Sequence, residues 1–461
     1  MLELFFAPKS VTVIGASSDE HKYGRLIFNH FVVPFHGSVY PINPNVEKIM
    51  GIKCYSSVFE LPIVPDLAVV VVPAKIAVKA VSEAAEYGIP AIVCITAGFS
   101  EIGKDDLQDA LVQNLGKSRL IGPNCLGVID TQTQLNTIFA NFELPEKGPV
   151  SLISQSGSLA IDLLLALQRN KIGLRRFVSY GNAADLNETD FIEFFGQDTN
   201  TRVIGAYLEV VKAGRKFIET SKNVAQKKPI VALKLPITEE VTMAARSHTG
   251  AVLSSKSMGL YKEILRRSGI IQCDSTQQFV NSIRALYKQP PTLGSQIAIV
   301  TNTGGPGAMA LYRMTRYKLK LATLRAETAK AAETIIRKHN VQTFLSRDSD
   351  SKPRAFLDLT GSATTEVIES ISRVFLKDPS VSGIILVPRS DAPVVSHDTP
   401  ARVAVLHKEF PTKPILVYNL PDPIVNAKFE NYGIPVFTTA EDAVDGMNAL
   451  VERGKFLNQW I

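Results

Sequence analysis

Short apolar segments recur along the chain, and each is followed by a turn and then by a longer segment with helical periodicity. The segments are continuously apolar and do not alternate with polar residues; they are Val11–Ile14, Leu67–Val72, Ala91–Ile95, Val150–Ile153, Ile230–Leu233, Ile297–Val300, Gly383–Val387 and Ile415–Tyr418. Strands that are hydrophobic on both faces belong inside parallel sheets covered by helices. The pattern therefore predicts an α/β protein built from open, doubly wound sheets.

Two proline-containing breaks, Leu144–Pro149 and Gln289–Gly294, interrupt this pattern, and each precedes a new buried strand. The chain has 461 residues, which is about three times the common domain size. We therefore expect three domains, over residues 1–143, 148–288 and 294–461. The second and third begin with the same order of strand, small-residue loop and helix, which indicates two copies of one unit.

Composition narrows the class of protein. The 50 basic and 44 acidic residues leave a net charge of +6 that is spread along the chain, so it fits anionic small molecules and does not indicate nucleic acid. The four cysteines lie far apart without a CxxC pair, which favours a reducing, cytoplasmic location over a disulfide scaffold. A secretory signal and a long apolar span are both lacking, so we expect no membrane association.

The first strand runs into a glycine turn, Gly15–Ser18, with Lys22 and Arg25 shortly after it. Backbone N–H groups at such a helix start can face a phosphate. The loop lacks GxGxxG, and the next strand ends at Asn43 where an NAD site would place Asp or Glu. The pattern favours a phosphorylated adenosine derivative other than NAD, with a purely structural turn as the alternative.

Two further loops combine hydroxyls and glycines at a helix start, Ser154–Ser158 and Asn302–Gly307. Free amides there suit a phosphate or the charge that develops on a transferring phosphoryl group. Neither loop is a Walker P-loop. One such loop is common as structure alone, but two in copied domains favour phosphate chemistry.

His248 lies in a run of small residues with Arg246 nearby, and Glu209 directly follows the apolar segment Val203–Leu208. A carboxylate at the carboxyl end of a buried strand could hold one ring nitrogen of a histidine and leave the other to attack phosphorus. The alternatives are a loop histidine without function and a carboxylate in a helix cap or local ion pair. The other histidines lack partners at metal-ligand spacing, so we expect no metal site.

Ten motifs together resemble one family over nearly the whole chain: Val13–Ser17, Tyr40–Pro44, Leu67–Ala74, Thr96–Phe99, Gly122–Gly127, Ser154–Gly157, Gly181–Asn182, Leu208–Glu209, Ser247–Gly250 and Thr303–Gly307. The chain resembles the alpha subunit of the NDP-forming acyl-CoA synthetases (acetate:CoA ligase, ADP-forming), which are relatives of succinyl-CoA synthetase. The resemblance implies a CoA-binding Rossmann domain followed by two flavodoxin-like CoA-ligase domains with parallel sheets. It also implies the reaction acyl-CoA + phosphate + ADP ⇌ carboxylic acid + CoA + ATP, through an acyl phosphate and a phosphohistidine.

The same resemblance assigns roles to residues. His248 is expected to be the phosphorylated histidine and Glu209 the carboxylate that orients it. The expected CoA-binding residues are Gly15, Ala16, Ser17, Ser18, Lys22, Asn43, Thr96, Ala97, Gly98 and Asn124. The expected phosphate-binding residues are Ser154, Gln155, Ser156 and Gly157 in the second domain and Thr303, Gly304 and Gly305 in the third.

The chain shows no segment like the ATP-grasp domain that such enzymes need for the nucleotide. The resemblance therefore implies a separate ATP-grasp beta subunit in an α2β2 hetero-oligomer, with ADP or ATP and Mg²⁺ on that partner. The substrate would be a small carboxylic acid or its acyl-CoA. The segment around His248 departs from the family pattern, so the alternative is a noncatalytic CoA-binding or regulatory protein on the same scaffold.

Overall fold

The computed structural model describes residues 1–32, 35–209, 211, 214–234, 258–419 and 422–459. The chain divides into two compact units, Met1–Thr276 and Gln277–Ile461. Within these described ranges, no helix is long and apolar enough to cross a membrane.

The first unit contains two of the large sheets. The first sheet has five parallel strands in the order β2-β1-β5-β6-β7. Its strands and the small β3–β4 hairpin beside it are β1 (Ser10–Ile14), β2 (Ser38–Ile42), β3 (Lys48–Ile49), β4 (Ile52–Lys53), β5 (Leu67–Val70), β6 (Ala91–Cys94) and β7 (Arg119–Ile121). Its helices are α1 (Tyr23–Val32), α2 (Ala74–Glu86) and α3 (Asp105–Gln113).

The second sheet has seven strands in the order β14-β13-β12-β10-β11-β8-β9. They are β8 (Gly127–Asp130), β9 (Leu135–Asn136), β10 (Lys147–Ser154), β11 (Leu174–Ser179), β12 (Val203–Tyr207), β13 (Ile230–Leu233) and β14 (Ile270–Cys273). The strands from β10 to β14 are parallel, whereas β8 and β9 add antiparallel strands at the β11 edge. The helices are α4 (Gly157–Arg169), α5 (Glu188–Gln197), α6 (Gly214–Lys227) and α7 (Met258–Arg267).

The third sheet lies in the second unit and has the order β16-β15-β18-β19-β20, with β17 also paired to β15. All its pairings are parallel. The strands are β15 (Gln296–Thr301), β16 (Lys320–Leu321), β17 (Phe356–Asp358), β18 (Gly383–Val387), β19 (Ile415–Tyr418) and β20 (Val436–Phe437). The helices are α8 (Thr276–Lys288), α9 (Gly304–Arg316), α10 (Ala326–Lys338), α11 (Thr365–Lys377), α12 (Thr399–Glu409), α13 (Pro423–Asn431) and α14 (Ala440–Asn458).

The parallel strands of the second and third sheets follow the flavodoxin-like order, in which the first strand pairs with the second on one side and with a later strand on the other. Each of the eight apolar segments named from the sequence contains or overlaps a strand of these sheets. Most of their residues are buried on both faces because helices cover both sides. The predicted α/β class with parallel sheets is therefore confirmed.

The predicted domain ranges stay a prediction, but the sheets divide the chain at other positions. β8 and β9 fall in the first predicted range, yet β8 pairs with β11 of the second sheet. Helix α8 falls in the second predicted range, yet it belongs to the second compact unit. Asn281 of α8 donates a 2.7 Å hydrogen bond from Nδ2 to Oδ1 of Asp442 in α14. These long-range pairings leave no local mark in composition.

A contact between two glycines sets the distance of α1 from the first sheet. Gly15 directly follows β1 with a φ of +98°, and a Cβ on Gly24 of α1 would lie 2.0 Å from the carbonyl oxygen of Gly15. A Cβ on Gly15 itself would lie 2.5 Å from the carbonyl oxygen of Val71. Only glycine fits either position, so the helix start lies directly against the strand.

We expect Gly24→Ala to lower the free energy of unfolding by about 1–3 kcal/mol, because the added methyl group would overlap backbone that cannot move aside. Gly214→Ala is the matched control in the same unit, since a Cβ built there meets no atom within 4 Å among the described residues, apart from its chain neighbours and its own helix backbone. Urea unfolding of both variants and the wild type measures the difference. A Gly24→Ala variant as stable as the control would contradict the close packing of α1.

Candidate functional site

Three loops leave the first of the parallel strands of a sheet and enter a helix: β1 to α1, β10 to α4 and β15 to α9. In each sheet, this strand pairs on one side with the next parallel strand of the chain and on the other side with a strand that comes later. The connections that leave these strands therefore diverge there. Open α/β sheets bind ligands in the crevice at this position, beyond the carboxyl ends of the strands. The predicted loops at residues 15–18, 154–157 and 303–305 all lie at such positions.

The β1 loop combines several of the predicted CoA-binding residues. The Nδ2 group of Asn43 donates a 2.8 Å hydrogen bond to the carbonyl oxygen of Ala16, so the end of β2 is tied to the loop. Ala16 and Ser17 are buried, and the Ser17 hydroxyl accepts a hydrogen bond from the N–H of Asp19 at 3.1 Å. Ser18 and Lys22 are exposed. The loop can thus offer backbone groups and the Lys22 charge to an anion.

A second predicted CoA-binding group lies on the loops after β6 and β7. The N–H of Asn124 donates a 2.8 Å hydrogen bond to the carbonyl oxygen of Thr96, and the Thr96 hydroxyl donates to the carbonyl oxygen of Val72 at 2.7 Å. Gly98 has a φ of +111° and Asn124 a φ of +56°. Ala97 is exposed between Thr96 and Gly98. The structure therefore brings these four predicted residues to adjoining positions.

The β10 loop has its conformation set by hydroxyl groups. Ser154, at the end of β10, donates from Oγ to the carbonyl oxygen of Ser156 at 2.7 Å. Ser156 is the N-cap of α4, and its Oγ accepts from the N–H of Leu159 at 3.4 Å. Helix geometry leaves the N–H groups of Gly157 and Ser158 without an acceptor inside the helix. This helix start has the polarity and donors that a phosphate requires.

Glu209 lies beside this loop, as the sequence predicts for a residue after a buried strand. Its N–H donates to Oε1 of Gln155 at 3.2 Å, and its carbonyl oxygen accepts from Nζ of Lys234 at 2.7 Å. The Tyr207 hydroxyl makes a hydrogen bond to the Glu209 carboxylate. Two predicted site residues, Gln155 and Glu209, are therefore in direct contact. The main chain of Glu209 is held from both sides.

The charge of Glu209 acts on the pKa values of two neighbouring side chains, Tyr207 and Lys234. Burial, the negative charge of Glu209 and the hydrogen bond to Glu209 raise the pKa of Tyr207, so this hydroxyl stays a donor at neutral pH. Burial lowers the pKa of Lys234 to about 8, although the charge of Glu209 opposes that change. A carboxylate in this position can accept a ring N–H of an imidazole and fix its tautomer.

The β15 loop repeats the backbone arrangement of the β10 loop in the second unit. Thr301, at the end of β15, donates from Oγ1 to the carbonyl oxygen of Thr303 at 2.6 Å, and Thr303 is the N-cap of α9. A Cβ on Gly304 would lie 2.9 Å from Oδ2 of Asp358. A carboxylate therefore lies beside this helix start. Phosphate binding by Thr303, Gly304 and Gly305 stays a prediction.

His248 lies outside the described residues, so its predicted role stays a prediction. Among the residues that the structure does describe, no group of three or more His, Cys, Asp and Glu side chains is placed to hold a metal ion.

Sequence reasoning missed two residues near these loops, Lys234 at the second sheet and Gly24 at the first. Lys234 directly follows the buried strand β13, just as Glu209 follows an apolar segment, so the same signal would have found it. Gly24 packs against Gly15 nine positions earlier, and a glycine at a helix start is a usable sign of close helix–strand packing.

Comparisons with known proteins agree with this geometry. Residues 9–131 match a family model described as a CoA binding domain, and residues 147–286 match one described as a succinyl-CoA ligase like flavodoxin domain. The chain is 33% identical to acetate–CoA ligase [ADP-forming] II subunit alpha of Pyrococcus furiosus, over 99% of this chain and 98% of that protein.

Two further similarities concern length and structure. Acetate–CoA ligase [ADP-forming] of Methanocaldococcus jannaschii is 38% identical over 71% of this chain but only 46% of its own length, so the chain spans about half of that relative. The dinucleotide forming acetyl-coenzyme A synthetase 1 of Ca. Korarchaeum cryptofilum, solved with phosphate and ADP, superposes with a TM-score of 0.85. It is 30% identical, and the match covers 100% of this chain and 99% of that one.

The buried position of Lys234 has a measurable consequence for stability. The folded-state pKa of about 8 lies below the ordinary value of 10.5, so the unfolded chain binds more protons between these two pH values. The contribution of Lys234 to stability therefore rises as the pH rises through this window. We expect the difference in free energy of unfolding between wild type and Lys234→Met to shift in favour of wild type from pH 8 to pH 10.5.

Chemical denaturation at several pH values measures this difference. Lys227→Met, which removes an exposed lysine at the end of α6, controls for the loss of a positive charge. A difference that stays flat between pH 8 and 10.5 would show that Lys234 is not buried against Glu209 as described.

Proposed function

The chain belongs to the family of ADP-forming acetate–CoA ligases, and we propose that it is the alpha subunit of an ADP-forming acyl-CoA synthetase. The reaction is acyl-CoA + phosphate + ADP ⇌ carboxylic acid + CoA + ATP. The observation that carries this proposal is the hydrogen bond from the main-chain N–H of Glu209 to Oε1 of Gln155, which places the proposed histidine-orienting residue beside the proposed phosphate loop. That combination serves phosphoryl transfer through a histidine.

CoA would bind across the loops of the first sheet. The turn at Gly15–Ser18 would receive the phosphates of CoA, with Lys22 adding positive charge and Asn43 lying near the adenosine. The loop at Thr96–Gly98, beside Asn124, would border the pantetheine arm and the thiol. The match of residues 9–131 to a CoA binding domain supports this assignment.

In the first step, a phosphate oxygen attacks the thioester carbon of acyl-CoA. The C–S bond breaks, CoA leaves as a thiolate that takes up a proton, and an acyl phosphate remains. The amides at the start of α4, with the Ser154–Gly157 loop, would hold the phosphate while this happens. Their contribution is to position the nucleophile and to neutralise its charge.

In the second step, a ring nitrogen of His248 attacks the phosphorus of the acyl phosphate, the P–O bond breaks and the carboxylate leaves. Glu209 would accept the N–H of the other ring nitrogen and so keep the attacking nitrogen unprotonated. Gln155, Lys234 and Tyr207 keep Glu209 in place through the hydrogen bonds described above. The phosphohistidine then transfers its phosphoryl group to ADP.

The nucleotide step requires a partner. We propose a separate ATP-grasp beta subunit that binds ADP or ATP with Mg²⁺, in an α2β2 assembly located in the cytoplasm. The support is that the match covers 98% of a relative that is named an alpha subunit, but only 46% of a relative whose name carries no subunit. The Thr303–Gly305 loop at the start of α9 would provide a second phosphate-binding loop.

The test is phosphorylation of the purified chain by acetyl-CoA and labelled phosphate. We expect acid-labile phosphate on wild type and none on His248→Ala. Outer-shell partners of metal-bound histidines contribute about 10–100-fold to activity, and by analogy we expect Glu209→Gln to lower the labelling rate by about that factor. ATP formation after adding the partner subunit and ADP measures the complete reaction.

Glu219→Gln is the matched control, because Glu219 is an exposed carboxylate on α6. Wild type that gains no more label than His248→Ala would refute the catalytic proposal. If that protein still binds CoA, the noncatalytic CoA-binding alternative takes its place.

A further inference from the structure

Asn182 forms a bridge between the loops of the first sheet and the second sheet. It lies in the turn that follows β11, and its Nδ2 donates to Oε2 of Glu101 at 2.6 Å and to Oε1 of Gln108 at 2.9 Å. Its Oδ1 accepts from Nδ2 of Asn124 at 3.1 Å. The side chain therefore uses both amide hydrogens and its oxygen within this group of residues.

Glu101 organises the loop that borders the predicted thiol site. It lies in the 3₁₀-helix Ser100–Ile102, and its carboxylate accepts hydrogen bonds from the N–H groups of Gly98 and Phe99. Burial would raise the pKa of Glu101, but the hydrogen bonds from Asn182, Gly98 and Phe99 outweigh it and lower the pKa. The carboxylate is thus ionised at neutral pH, and the loop folds around it through these hydrogen bonds.

The arrangement also decides which groups this loop can offer a ligand. The N–H groups of Gly98 and Phe99 point inward to Glu101, and Phe99 is fully buried. Ala97 is the exposed residue of the segment from Thr96 to Phe99. A pantetheine arm would therefore meet the outer surface of the loop at Ala97, while Glu101 holds the loop from within.

The turn after β11 continues this contact to the phosphate loop. Tyr180, two residues before Asn182, donates its N–H to the carbonyl oxygen of Ser154 at 3.0 Å and its hydroxyl to Oε1 of Gln155 at 3.5 Å. Gly181 has a φ of +55°, and a Cβ there would lie 2.3 Å from the carbonyl oxygen of Asn124. The turn is therefore pressed against the first-sheet loops with no room for a side chain at Gly181.

From this geometry we propose that Glu101 is a positioning residue, which through Asn182 sets the thiol-binding loop at Thr96–Phe99 against the phosphate loop at Ser154–Gly157. The inference rests on the proposed function and deepens it. Attack of phosphate on a thioester requires the reacting atoms to come within about 3–3.5 Å, and a displacement of about 1 Å can cost about 10²-fold. A rigid link between the two loops supplies that alignment.

Glu101→Gln tests the link because glutamine has a single acceptor oxygen for three N–H donors. We expect the KM for acetyl-CoA to rise by about 10-fold and acetyl-CoA-dependent labelling of the chain to slow by about 10- to 100-fold. ATP with the partner subunit labels the chain without CoA, so this reaction does not involve the thiol-binding loop. Its rate in Glu101→Gln should stay within about twofold of the wild-type rate. Calorimetry with the full chain measures its affinity for CoA separately from the reaction.

Glu86→Gln is the matched control, since Glu86 is an exposed carboxylate at the end of α2 in the same domain. Gln108→Ala, which removes one of the two acceptors of Asn182, tests the link if Glu101→Gln does not fold. Combining Glu101→Gln with Asn182→Ala should add little to either change, because both break the same link.

The inference is overturned if Glu101→Gln matches the Glu86→Gln control in CoA affinity and acetyl-CoA-dependent labelling. It is also overturned if acetyl-CoA-dependent and ATP-dependent labelling fall equally, because Glu101 would then only support the fold. Failure of the proposed function looks different, since wild type would not be labelled at all. The calorimetric comparison of CoA binding still decides the role of Glu101 in that case.

Discussion

In each large sheet, the strand that leads into a candidate ligand loop has parallel neighbours on both sides. The chain leaves this strand toward one neighbour and returns later on the other side, so no connection covers the carboxyl end between them. A gap in the backbone cover is therefore a direct result of strand order. The three loops at these gaps contain glycine and hydroxyl residues. Their small side chains leave the N–H groups of the helix start accessible to a ligand.

In the first unit, the gaps at the two sheets have different surroundings. Beside the first sheet, glycine–glycine packing brings the start of α1 close to β1, so the backbone of the two glycines is in direct contact. Beside the second sheet, charged side chains gather at the carboxyl ends of neighbouring strands, with Glu209 and Lys234 linked through the backbone of Glu209. Backbone surface suits the binding of a long ligand, whereas paired charges suit the handling of protons and phosphoryl groups.

The sequence was informative wherever a feature depends on near neighbours in the chain. Buried strands, the helix-start loops and the position of Glu209 all follow from short apolar segments and the residues directly after them. The pairing of Asn182 with Glu101 joins residues 81 positions apart, so no local pattern could reveal it. The same reason explains β8, which joins the second sheet although it precedes the proline-containing break. Hydrogen-bond partners at long range depend on the folded topology alone.

The hydroxyls of Ser154 and Thr301 stabilise their loops by bonding to main-chain carbonyl oxygens two residues later. The residue between hydroxyl and carbonyl takes no part in that bond, and it is Gln155 in one loop and Asn302 in the other. Gln155 contacts Glu209, whereas Asn302 is buried and its side chain has no hydrogen-bond partner among the described residues. Each loop can therefore carry a different side chain at this position while its backbone keeps the same hydrogen bond.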